Sequence, residues 1–246
     1  GTGTLPPGHF KDTHIDAVVA SLESLRGCDK VVYANEANNP SEWPGGYPNP
    51  TFILSPQYYT SIYNAIASRT TIKLAPFAID PYNIVAAEFG ITGNPAEWAR
   101  YIYENIIGLN FIALHAKTQT NDPLQVWSNA IFDSGPIAGN FVNLKTIENQ
   151  LSWIPETLQS LPVIVTELNP QYRLDGTTGW SLAPNASWIH EAYRYLRTLP
   201  LAGAVLYRYE KAGDQAAFGL EGRPLMLEAL QIEAAKAEGT TFPITF

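Results

Sequence analysis

The amino-acid sequence predicts an α/β protein made of repeated strand–helix units, and three observations carry that reading. Five short apolar runs rich in β-branched residues alternate with segments of helical periodicity. Long irregular stretches follow the runs, whereas the connections leading into the next run are short. The chain of 246 residues, 46% of them apolar, is long enough to bury a sizeable core and matches the size of a single α/β barrel.

The strand candidates are residues 30–34, 71–79, 111–115, 162–166 and 202–209. Their near-continuous apolar character suits strands covered on both faces, as in parallel sheets. Residues 14–25 place Ile15, Val18, Val19, Leu22 and Leu25 at three-four spacing, which predicts an amphipathic helix. Ser55-Pro56 predicts a helix start over 57–68, with Ser as N-cap and Pro in the first turn, and Asn94-Pro95 predicts the same over 96–107. Further helices are expected over 144–159, 187–198 and 223–238. The irregular stretches 37–54, 80–93, 117–143 and 168–185 all lie between a strand and the following helix. In a parallel barrel those loops share one rim, the one on which active sites are built. With no repeat, low-complexity tract or linker, residues 1–246 read as a single domain.

A formal net charge of −8 argues against a nucleic-acid or anionic-membrane partner, and no apolar run approaches the ~20 residues that cross a bilayer. The single cysteine, Cys28, excludes an intrachain disulfide or a multi-cysteine metal site and is expected to be a small buried hydrophobe. Histidines 9, 14, 115 and 190 are too scattered for a metal-ligand motif. Asn185-Ala186-Ser187 has the form of a glycosylation sequon, a pattern short enough to arise by chance. Six Trp and thirteen Tyr supply aromatic faces, most of them for the core; Trp98, Trp153 and Trp188 fall in predicted helices and read as core.

Two glutamates stand out because each ends an apolar run: 30–34 leads into Asn35-Glu36, and 161–166 leads into Glu167. Asn35-Glu36, with Asn38 and Glu42-Trp43-Pro44, resembles the "NEPN…EWP" motif of clan A retaining glycoside hydrolases. Thr166-Glu167-Leu168-Asn169-Pro170 looks like the "TE-x-NP" segment of the same enzymes. Ile112-Ala113-Leu114-His115 is similar to their "ALHAY" segment, and Val205 to Tyr209 to their last strand. The resemblance covers most of the chain in the right order. It implies a TIM-barrel-related fold represented here by the family's strands four to eight. By resemblance Glu36 is the acid/base and Glu167 the nucleophile of a glycosidase that cleaves a β-linked glycoside with retention. No metal or organic cofactor is implied, and the partner is an oligo- or polysaccharide.

Retention asks for two carboxyl groups ~5–5.5 Å apart, one attacking the anomeric carbon and one protonating the leaving oxygen; ~6.5–9.5 Å would favour inversion. Glu36 would need a raised pKa to hold its proton, and a nearby ionised Glu167 would help raise it. Asn35 would donate to the sugar 2-hydroxyl, and His115 would bond a carboxylate or a substrate hydroxyl. Trp43, Tyr47 and Trp180 lie in rim loops, where they either stack on sugar or anchor the loop. Four departures from the pattern change these expectations. Lys117 stands where the family has Tyr, which changes the local charge and could pair it with a carboxylate. Tyr209 replaces a Trp sugar platform, and Ala37 replaces the Pro of "NEPN". Only 30 residues precede Val31, so the barrel is expected to be incomplete here and closed by another segment or a partner chain. The competing expectation is a non-catalytic carbohydrate-binding or structural protein on the same scaffold.

Overall fold

The computed structural model describes residues 12–170, 185–207 and 219–237. Its elements alternate as the sequence predicts. They are α1 (Asp12–Glu23), β1 (Lys30–Tyr33), α2 (Pro56–Ala67), β2 (Lys73–Pro76), α3 (Pro95–Asn105), β3 (Ile112–Thr118), α4 (Thr146–Ser152), β4 (Val163–Pro170), α5 (Ala186–Leu196), β5 (Gly203–Leu206) and α6 (Pro224–Lys236). The protein is mixed α/β with parallel strands in a two-stranded sheet, β1-β2, and a three-stranded sheet, β3-β4-β5. Sheet order therefore follows chain order within each sheet. Among the described residues no helix is long and apolar enough to cross a membrane.

The chain forms two compact units. The first comprises residues 1–115, 134–138 and 150–162, and the second 116–133, 139–149 and 163–246. In the first, β1 pairs with β2 from Lys30↔Lys73 to Tyr33↔Pro76, and Leu109, just ahead of β3, bridges in parallel to Leu74 of β2. Ile62, Tyr63 and Ile66 of α2, Leu74 and Ala75 of β2, and Trp98 and Ile102 of α3 bury together as its core. Both predicted caps form: the side chain of Ser55 accepts from Tyr58 N, and that of Asn94 from Ala96 N. In the second unit β4 pairs with β5, and Val163, Val165 and Leu168 are buried along with Trp188, Ile189 and Ala192 of α5 and Met226 of α6. Glu233 of α6 is buried and ties α5 to α6 through His190 and Arg197, with Lys236 also bonded to it.

The predicted helix over 144–159 is broken. It ends at Ser152 and resumes only as a 3-10 turn at Glu156–Leu158, because Pro155 between them lacks an amide proton and clashes with the preceding turn. β2 is shorter than the run 71–79, stopping at Pro76 for the same want of a donor. β3 and β4 extend further than predicted, to Thr118 and Pro170. Cys28 is corrected outright: it is exposed in the turn before β1, where its Sγ donates to Lys30 O at 3.0 Å. Asn185 of the sequon is the N-cap of α5, its side chain accepting from Ser187 N. Trp98 and Trp188 are core, as expected, while Trp153 is only half-buried beyond the end of α4.

At the end of α1 the carboxylate of Glu23 accepts from Thr70 Oγ1, from Thr71 N and from Thr71 Oγ1, joining α1 to the entry of β2. These bonds hold its pKa below the ordinary carboxylate range. A lowered folded-state pKa stabilises the fold above the unfolded value and ceases to do so as pH falls through the folded value. Urea unfolding of Glu23→Gln across the acid range is expected to show a deficit near neutrality that closes as pH falls. A deficit that is constant with pH would rule out the linkage.

Candidate active site

β1 delivers Glu36. The strand ends at Tyr33, and the next residues turn sharply: Ala34 has φ +71° and Glu36 φ +33°, the only positive-φ residues other than glycine among those described. Each L-residue held there is strained by roughly 1–2 kcal/mol, so the surrounding structure must hold the turn in place. It does so through backbone and side-chain bonds. Asn39 N donates to Glu36 O at 2.6 Å, and Asn39 caps the 3-10 turn Pro40–Glu42. Trp43 Nε1 donates to Ala37 O at 2.8 Å, with the Trp43 ring 5.5 Å from that of Phe89. Trp43 is 2% exposed. It therefore anchors the loop and has no ring face open to a sugar. The exposed Tyr47 rests edge-on to Phe89, its hydroxyl 3.3 Å from Glu88 Oε2.

Strain of this kind predicts how Ala34 responds to substitution. Ala34→Gly removes the Cβ clash but frees the unfolded chain, so it is expected to be neutral or stabilising by up to about 1 kcal/mol. Ala34→Val, with a branched Cβ, is expected to destabilise. Equal stabilities of the two variants in urea would show that the turn relaxes.

The Glu36 carboxyl is buried, 4% exposed, and its Oε1 lies 2.6 Å from His115 Nδ1. One proton sits between the two heavy atoms whichever of them carries it, so the imidazole fixes the plane of the carboxyl. His115 is held in turn by its backbone: Gln150 Nε2 donates to its carbonyl at 2.8 Å. His115 is 3% exposed and sits inside β3, whose described residues are all buried. Asn35 is exposed beside Glu36.

Glu167 belongs to the second unit. The sequence places it just past a strand, but the structure places it within β4 at a bulge. Pairing runs Val165↔Ala204 and then Leu168↔Leu206, so β4 carries one extra residue across Thr166 and Glu167. A bulge re-aims the side chains on it, and here Thr166 and Glu167 are half-buried between the buried Val165 and Leu168. Lys117 is also in this unit, buried on β3. Tyr209 and Trp180 lie outside the described residues. Compared with models of known protein families and with curated proteins, the chain matches none.

Several site-building residues carry no motif of their own. Tyr59 of α2 donates its hydroxyl to Tyr33 O at 2.8 Å and accepts from Phe77 N at 3.1 Å. It thereby spans the point where Pro76, opposite Tyr33, supplies no amide proton. Burial pushes its phenol well above the ordinary value, so it stays neutral. Trp127 donates to Glu191 of α5 and lies under the Arg194 guanidinium, which fastens the stretch after β3 to that helix. Pairings of this kind, dozens of residues apart, leave no periodic trace in a sequence.

Proposed function

We propose that the protein hydrolyses a β-linked glycoside with retention, with Glu36 as acid/base and Glu167 as nucleophile. The observation that carries this reading is the buried Glu36–His115 pair at the carboxyl end of a parallel strand, held on strained backbone. A carboxyl removed from water and oriented by an imidazole is equipped to give up and retake a proton at a fixed position. The parallel strands with intervening helices support an arc of a TIM-barrel-related scaffold, whose strand ends carry catalytic groups. The bulge at Glu167 is the kind of local device that aims a side chain out of strand alternation.

In the first step Glu167 attacks the anomeric carbon while Glu36 protonates the departing oxygen, leaving a glycosyl ester on Glu167. Glu36, now a carboxylate, then draws a proton from water as that water attacks the anomeric carbon and the bond to Glu167 breaks, freeing its carboxylate. Asn35 is assigned to the sugar 2-hydroxyl. Intact mass spectrometry after incubation with a panel of fluoro-glycosides tests the proposal. A single covalent adduct on Glu167 is the expected result. Absence of both adduct and hydrolysis from a folded sample would leave the carbohydrate-binding alternative.

A further inference from the structure

The loop bearing Glu36 contains a second buried side chain to which the chemistry above gives no task. Asn38, 1% exposed, makes a two-way bond to the backbone of Asp80: Nδ2 donates to Asp80 O at 2.8 Å, and Oδ1 accepts from Asp80 N at 2.9 Å. Asp80 follows β2, is itself buried, and accepts from Tyr82 N through its carboxylate. A primary amide that engages both polar groups of one residue reproduces a rung of a β-ladder. It fixes the loop in translation and in rotation about that rung, two residues from the strained backbone of Glu36. Aspartate lacks the donor for this pairing, and glutamine carries its amide one methylene further out.

The geometry points to Asn38 as a positioning residue for the Glu36 carboxyl, a role that rests on the glycosidase reading above. Asn38 acts through backbone, and its amide is spent on Asp80. With His115 bonded to Oε1 and Asn38 holding the loop, the Glu36 carboxyl is restrained from both ends. Small displacements of a reacting group are costly, with about 1 Å sufficient for a 100-fold loss.

A mere loop anchor and a positioning residue differ in which substrates suffer. Protonation of the leaving oxygen matters for a phenyl β-glycoside and hardly at all for a dinitrophenyl one, whose leaving group departs as an anion. Asn38→Ala is expected to lower kcat/KM for phenyl β-glycosides roughly 10–100-fold while leaving dinitrophenyl β-glycosides little changed. Asn38→Gln keeps the amide but carries it one methylene further out, which displaces the loop from Asp80, and it should show the same selectivity. This second variant decides the matter if Asn38→Ala does not fold. Equal losses on both leaving groups, or unchanged activity in the folded variants, would overturn the role and spare the glycosidase reading. An unaltered protein that cleaves neither substrate would overturn both.

Discussion

If the protein is the retaining glycosidase proposed above, Glu167→Gln is expected to abolish turnover, and Glu36→Gln to divide substrates by leaving group. Without the Glu167 carboxylate there is no nucleophile to form the glycosyl ester, and the amide cannot replace it. Without the Glu36 proton, formation of the ester slows by about 10²–10⁴ for poor leaving groups, the usual contribution of a placed acid. Activated glycosides should still form the ester, whose hydrolysis then lacks a base. The Glu36→Gln protein should accordingly give a burst of phenol release and accumulate a covalent adduct visible by mass. A uniform loss across leaving groups, with no adduct, would remove Glu36 from the acid/base role.

Tyr59→Phe is expected to destabilise the first unit out of proportion to the one oxygen it removes. That hydroxyl is the link between Tyr33 O and Phe77 N, and the Pro76 between the strands offers no substitute donor. Tyr59 is 2% exposed and its bond from Phe77 N is buried, so that amide is left without a partner away from water. Each buried backbone group left unpaired costs roughly 1–3 kcal/mol. Urea unfolding followed by tryptophan fluorescence measures the loss, and a variant within about 0.5 kcal/mol of the parent would show that the two strand ends re-pair without the phenol. Because Tyr33 is the last residue before the strained turn, any activity should fall together with stability.

Much of this architecture was legible in the residues, and the exceptions have physical causes. Ser55-Pro56 and Asn94-Pro95 declared their helix starts because capping is a local interaction between neighbours. The runs of β2 and β3 were legible because burial on both faces demands continuous apolar character, whereas β1 and β5 are not covered on both faces, with Val205 55% exposed. Helical periodicity over 144–159 masked the break at Pro155, where a missing donor outweighs a well-spaced apolar face. Cys28 was read from the burial habit of its type, but its position in a turn ahead of β1 exposes it. Glu36 was conspicuous as a carboxylate at a strand end. What holds it was not: His115 lies 79 residues away and the Asn38–Asp80 pair spans 42. Trp43 could be read as a sugar platform or an anchor until its indole was seen bonded to Ala37 O.

The extra residue in β4 has a further consequence. In uninterrupted alternation, residue 167 would share its face with Val163 and Val165, and any side chain there would answer to the same packing demand. The inserted position breaks that phase. Substitutions that retune the apolar half of the strand are thereby decoupled from the orientation of the carboxylate half, and the reverse holds too. Removing one residue from Thr166 or Glu167 by deletion would restore plain alternation with Leu168 still opposite Leu206, and would lose the position that turns the carboxylate out of that phase. Tolerance to mutation should therefore be divided along β4, with volume policed before the bulge and orientation policed within it.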